Sequence, residues 1–272
     1  MTIYPESIDT DLSRLLTDVQ NGSMQLPEFQ RDWVWDDDRI RGIIASLSQG
    51  YPIGAIMRLK YGNPEIQFKY RTITGVDGIS VAPEYLILDG QQRLTSIYQA
   101  AFSKKPVYTK TDKGKSIKRY YYLSIEECLN DDIDRFDAVL SVPDDRKIKE
   151  NFDRDVKLDI STREHEYENK LFPVNIVFDS GAILDWFMDY MKFYEGKPEA
   201  MSEIHLFQAS VLNTISAYKL PVITLGKSTP REAVCKVFEN VNTGGVPLTV
   251  FELVTATYAT RDFNLRKDCI QC

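Results

Sequence analysis

The chain has 272 residues, 43% of them hydrophobic and 27% charged, with a formal net charge of −7. That is enough apolar material for a real core, in one composite domain or two small lobes. It excludes nucleic-acid binding spread over the whole surface, which needs a basic coat, and no apolar run reaches the roughly 20 residues of a membrane span.

The N-terminus, MTIYPESIDTDLSRLL, has early acids and lacks the order of a signal peptide, so a cytoplasmic protein is expected. Ile8, Leu12, Leu15, Leu16 and Val19 stand at helical spacing and predict a helix over 8–19. The extended, aromatic segment LPEFQRDWVW follows, with Phe29, Trp33 and Trp35 expected in the core. Asp36 to Asp38 then precede a helical stripe of Ile40, Ile43, Ile44 and Leu47, stopped by Gly50. GAIMRLKY and EIQFKYRTI read as strands, and EYLILDG as a third, near-continuously apolar and hence buried. Leu94, Ile97, Tyr98, Ala101 and Phe102 predict the next helix.

The middle of the chain changes character. Residues 104–119 hold seven basic residues and one acid, Asp112; residues 126–137 hold six acids against Arg135. Such blocks are most often solvated faces. The basic block (Lys104, Lys105, Lys110, Lys113, Lys115, Lys118 and Arg119, with Tyr108 and Tyr120 to Tyr122 beside it) also suits a phosphate backbone. Residues 144–170 are charged and weakly periodic, and a mobile or edge region is expected there.

The last third is helical. Ile183, Trp186, Phe187, Tyr190 and Met191 share one face, and Ile204, Phe207, Val211, Leu212 and Ile215 another. LPVITL reads as a strand. A capping box of Thr229, Pro230 and Glu232 opens the helix after it, and Thr249 with Glu252 repeats the device. The sparse cysteines, Cys128, Cys235, Cys269 and Cys272, form no disulfide framework. The C-x-x-C pair Cys269/Cys272 has no second pair to complete a zinc site. With two histidines, His165 and His205, and no H-E-x-x-H, general-base work by histidine is not expected.

The segment Asp89-Gly90-Gln91-Gln92-Arg93 concentrates polar chemistry at a strand-to-helix junction. Gly90 permits a tight turn, and the amides of a helix start, an arginine fork and an aspartate together suit a phosphate group. Asp89 is the candidate metal ligand. The alternative reading is an aspartate that caps a helix and an arginine in solvent. Upstream, Gln30-Arg31 repeats the Gln-Arg pair. Downstream, Asn242, Gly244 and Gly245 form a polar glycine loop that matches neither a Walker loop nor a dinucleotide fingerprint.

Together, LPEFQRDWVW, SLSQGYPIGAI, YLILDGQQRLTSIY and FENVNTGGVPLTVFEL resemble the N-terminal domain of GmrSD-type modification-dependent restriction enzymes, over most of the chain. The resemblance implies an α+β fold of the ParB or sulfiredoxin kind, with a mixed sheet and a helical C-terminal part. It implies a nucleotide-binding core at 1–103 and residues 171–272 completing the pocket, while the charge pattern marks 104–170 between them as a charged insertion or edge region. It implies a nucleoside triphosphate with Mg or Mn, bound by Gln30, Arg31, Gly90, Gln91, Arg93, Asn242, Gly244 and Gly245. Asp89, Gln92 and Arg93 are then the catalytic candidates for hydrolysis. The expected role is sensing or regulation in defence against phage or other foreign DNA, with DNA as a partner; a homo-oligomer is compatible with the sequence. Many relatives carry an HNH nuclease domain that has no counterpart in these residues, so DNA cleavage by them alone is not expected. Two alternatives remain open: a DNA-binding module switched by nucleotide without hydrolysis, and a metal-dependent DNA nuclease.

Overall fold

A computed structural model describes residues 5–64, 66, 68–151 and 154–241. They form an α+β structure of two compact units. The first runs to Trp33, resumes over Gly54–Gln91 and takes the chain from Lys219 onward; the second takes Val34–Ile53 and Gln92–Tyr218. The divisions at 103/104 and 170/171 mark changes in composition, whereas these units are defined by what packs together.

The first unit is built on a six-stranded mixed sheet. Its strands, in spatial order, are Glu6–Asp11, Lys219–Leu225, Ile56–Lys60, Tyr85–Asp89, Met24–Pro27 and Tyr70–Arg71. The Tyr85 strand lies parallel to the Met24 strand and antiparallel to the Ile56 strand. It is therefore paired on both edges, and Leu86, Ile87 and Leu88 are all buried, as a central strand requires. Leu86 and Leu88 join Leu59, Phe68, Leu225, Val234 and Phe238 in one apolar cluster. Val234 and Phe238 come from the helix Arg231–Val241, so this helix supports the strand that leads to Asp89.

Two expectations at this end change. Ile8 is not helical: Glu6–Asp11 is an edge strand paired with Lys219–Leu225, and the helix runs Leu12–Gln20. Ile8 shares the spacing of Leu12, Leu15, Leu16 and Val19 by coincidence of register. Only the four helical positions are buried, while Ile8 is 55% exposed. The expected strand in EIQFKYRTI reduces, among the described residues, to the pair Tyr70–Arg71 on Leu26 and Pro27.

The second unit centres on the long strand Ser116–Ser124. Val139–Pro143 pairs along one edge, and Val107–Lys110 and Leu171–Pro173 pair along the other, all antiparallel. The helix Asp37–Ser48 begins as its sequence predicts: the Asp36 carboxylate accepts from the Arg39 backbone N–H at 3.0 Å, with Asp37 and Asp38 in the first turn. The helix Ser180–Phe193 buries Trp186, Phe187 and Tyr190. Their rings pack with Tyr167, Phe172 and Phe207 into an aromatic core. Residues 144–170, expected to be a mobile or edge region, include the antiparallel strands Lys147–Glu150 and Asp155–Asp159 and the helix Arg163–Glu168. The stretch is tied down by Ile148, Leu158 and Ile160, which pack with Tyr122 and Val142, and by ion pairs from Lys147 to Asp159 at 2.7 Å and Lys149 to Asp145 at 2.8 Å.

Candidate functional site

Asp89 ends its strand half-buried, and Gly90 follows at φ +91°. A side chain is strained in that left-handed region, so glycine is what the turn needs. The helix Gln91–Ile97 starts at once. Gln91 is buried, and its amide Nε2 donates to the Arg31 carbonyl at 2.8 Å. Gln30, also buried, donates through Nε2 to the carbonyls of Ile87 at 2.7 Å and Leu88 at 3.1 Å. The two segments with Gln-Arg pairs are thus laced together in the first unit, side chain to backbone, in both directions.

This lacing settles the Gln30 amide. Nε2 faces two carbonyls, which only accept, so Oε1 points the other way. Gln30 Oε1 is buried and has no hydrogen-bond partner. A buried acceptor without a donor carries a cost of about 1–3 kcal/mol, and it lies beside the backbone that runs directly into Asp89. Arg31 is the opposite case. Its carbonyl is held by Gln91 and by Arg71 at 3.3 Å, while the residue as a whole is exposed. Arg71 also donates to the Gln30 carbonyl at 3.0 Å and pairs with Asp32 at 3.2 Å. It clamps three consecutive residues, a role no local pattern in EIQFKYRTI announces. Phe29 packs its ring on Phe68 and Phe238 and anchors the same segment to the core. Trp33 and Trp35, expected in the core, are half-buried.

The chain passes into the second unit between Gln91 and Gln92. There, Gln92 is buried and its Oε1 accepts from the Val34 N–H at 2.9 Å. Arg93 is half-buried and donates through one terminal nitrogen to the Ile53 carbonyl at 3.0 Å. Tyr218 holds that same short stretch, donating its hydroxyl proton to the Tyr51 carbonyl at 2.6 Å and accepting from the Ile53 N–H at 3.2 Å. Three chain crossings between units, at 33/34, 53/54 and 91/92, fall inside LPEFQRDWVW, SLSQGYPIGAI and YLILDGQQRLTSIY. Asn242, Gly244 and Gly245 lie outside the described residues.

Among the described residues no cluster of three or more histidine, cysteine, aspartate and glutamate side chains is placed to hold a metal ion. A cation of the Mg type takes one or two carboxylates and fills its shell with phosphate oxygens and water, and Asp89 is the one carboxylate in the D-G-Q-Q-R turn. Cys128 is buried, and burial pushes its thiol up to about 12, so it is no nucleophile at neutral pH. Glu166 is a second feature that sequence reasoning passed over. Burial raises its pKa, against bonds from Trp186 Nε1 at 3.0 Å and the Tyr122 hydroxyl at 3.3 Å and the Arg146 charge at 3.8 Å. These partners make it a polar staple inside the aromatic core.

The basic block separates into groups. Lys104 is tied to Asp179 and the Asn175 carbonyl, both at 3.2 Å, and Lys105 is exposed next to it. Lys118 lies 4.9 Å over the Tyr108 ring and 3.6 Å from Asp144. Arg119 turns to the opposite face of its strand and is half-buried, with Nε enclosed and without a partner. Lys113 and Lys115 are exposed at the tip between the strands, and Lys110 is half-buried beside them.

In this chain the central strand of a mixed sheet turns sharply into a helix through D-G-Q-Q-R and is laced to an upstream Gln-Arg segment. The chain belongs to the GmrSD restriction endonuclease N-terminal domain family, which it matches over residues 12–259. It is accordingly a domain of the restriction, or defence, type. It is also 30% identical over 261 residues to an uncharacterized protein of Methanocaldococcus jannaschii. That match covers 91% of this chain and 41% of the archaeal protein, so the chain spans about two fifths of that relative's length. No helix among the described residues is long and apolar enough to cross a membrane.

Proposed function

We propose that this domain binds a nucleoside triphosphate, with Mg or Mn, at the Asp89 turn, and that hydrolysis of the nucleotide serves as a sensing step in a DNA-restriction defence protein. The observation that carries the proposal is the buried Gln30 Oε1 without a donor, in a segment that also presents the exposed Arg31. A nucleotide brings what this half of the motif lacks. Its base amines or ribose hydroxyls are donors for Oε1, and its phosphate oxygens match the guanidinium fork of Arg31. Gly90, with no Cβ, lets a ligand approach the backbone closely. Asp89 supplies one carboxylate to a cation otherwise held by phosphate oxygens and water.

The test is nucleotide binding with and without magnesium, followed by phosphate release from four nucleotides. Asp89→Ala, Arg31→Ala and Arg93→Ala are compared with the native chain, the last asking whether the second guanidinium also serves the phosphates. The proposal expects binding that weakens at least ten-fold in Arg31→Ala, in line with a charge-assisted bond. It also expects release that is lost in Asp89→Ala. No binding under either condition, or equal release by all four proteins, would overturn it.

A further inference from the structure

The basic hairpin is not used by the nucleotide site, and its geometry is specific. In the antiparallel pair, Tyr108 lies opposite Lys118 and Lys110 opposite Ser116. Side chains alternate across a strand, so these four share one face. Val107, Thr109, Ile117 and Arg119 share the other. That second face is turned inward: Val107 and Thr109 are buried, and the Thr109 hydroxyl donates to the Trp35 carbonyl at 2.8 Å. On the first face Tyr108 is 63% exposed, with Lys118 Nζ 4.9 Å over one side of its ring. The turn closes through Gly114 at φ +80°, with the Gly114 N–H donating to the Thr111 carbonyl at 2.9 Å. Lys113 and Lys115 project from it. Among the described residues no carboxylate pairs with the amines of Lys110, Lys113 or Lys115.

Charge selects the occupant. Residues 104–119 carry +6, against −13 for the rest of the chain. An acidic partner is repelled by the bulk of such a protein and attracted to this hairpin. The exposed ring narrows the choice, because an aromatic ring among amines stacks on an unpaired base while the amines neutralise phosphates. Duplex DNA offers phosphates but no free base face.

We propose that the tip of this hairpin, formed by Tyr108, Lys110, Lys113 and Lys115, docks a stretch of single-stranded DNA without sequence preference, the Tyr108 ring stacking on one base and the three amines engaging the backbone. This interaction is independent of the nucleotide site and is measured without nucleotide. Binding of a fluorescent oligothymidine to the full chain is followed by anisotropy across a salt series. The duplex of equal length and an acidic peptide serve as competitors.

Neutralising all three lysines to glutamine is expected to lower the slope of log affinity against log salt by about 2, since each lost contact on a single strand removes about 0.7. Tyr108→Ala is expected to weaken binding roughly ten-fold with the slope kept, the size of one lost base stack. Lys104→Gln, whose amine is already tied to Asp179, is expected to bind as the native chain does. All of these side chains except Lys110 are exposed, so the variants are expected to retain the fold, which circular dichroism checks. The proposal is overturned if the native chain does not bind oligothymidine at low salt, or if the triple variant keeps the native slope. It is equally overturned if Tyr108→Ala binds undiminished, or if the duplex or the acidic peptide competes better than the single strand.

Discussion

The junction at Asp89 and the hairpin at Tyr108 are two polar concentrations of this chain, and they use polarity in opposite ways. At the junction, Gln30, Gln91, Gln92 and Arg93 all carry bonds to backbone groups. In the first unit, Gln30 and Gln91 lace two segments together and leave one acceptor, Gln30 Oε1, without a hydrogen bond next to the exposed Arg31. At the hairpin tip the charges are left unpaired and nothing in the fold depends on them. A polar residue that orders the chain and one that meets a ligand look alike in a sequence. The difference lies in whether a buried backbone group needs the side chain.

The comparison can be broken most forcefully at the core beneath the junction. Leu88→Ala removes a side chain that is 2% exposed in the cluster with Phe68 and Phe238. It is expected to cost about 2–5 kcal/mol in denaturant unfolding. A cost below about 1 kcal/mol would show that the strand carrying Asp89 does not rest on that core. Gln30→Leu comes next. It strips the donor from the Ile87 and Leu88 carbonyls, at an expected cost of about 1–3 kcal/mol, and it removes the proposed nucleotide acceptor. Gain of stability together with unchanged nucleotide binding would mean that the orphan acceptor is merely a burden. Gly90→Ala tests the turn. At φ +91° the added Cβ is expected to cost about 1–2 kcal/mol, and nucleotide binding should fall with it.

A smaller effect separates the charged stretch over 144–170 from both regions. Lys147 and Ser161 hold the Asp159 carboxyl well below the usual carboxylate range. A depressed folded-state pKa contributes stability that is present above the unfolded value near 3.8 and is lost as pH falls below it. Asp159→Asn should therefore flatten the acid limb of the stability profile, lowering stability at neutral pH, where the charged carboxylate contributes, and changing it least at low pH, where that contribution is already lost. Fluorescence-monitored unfolding at pH 2–7 distinguishes this from an unchanged acid limb, which would dismiss the pairing. Smallest of all, the Lys113→Gln and Lys115→Gln exchanges are expected to move stability by no more than about 0.5 kcal/mol, while DNA binding falls. A larger loss of stability would place these lysines with the junction residues, as parts of the scaffold.

The sequence by itself determined the features whose causes are local. The apolar run Tyr85 to Leu88 followed by Asp-Gly and a helical pattern specified a buried strand, a sharp turn and a helix, and the structure has all three. Asp36 and its neighbours announced the helix Asp37–Ser48 through its cap. The family was legible in the sequence too, which matches the family over residues 12–259. The tertiary structure decided whatever depends on a distant partner. Ile8 joins a strand because Lys219–Leu225 offers an edge. Arg71 becomes a clamp because three residues, some forty positions earlier, end beside it. Of seven basic residues in one block, Lys104 is taken by Asp179 and Arg119 is turned inward, while the tip stays open. Spacing along a chain encodes the period of a helix or strand. Which backbone group a side chain will find is set only when remote segments are brought within 3 Å or so of each other, the reach of a hydrogen bond.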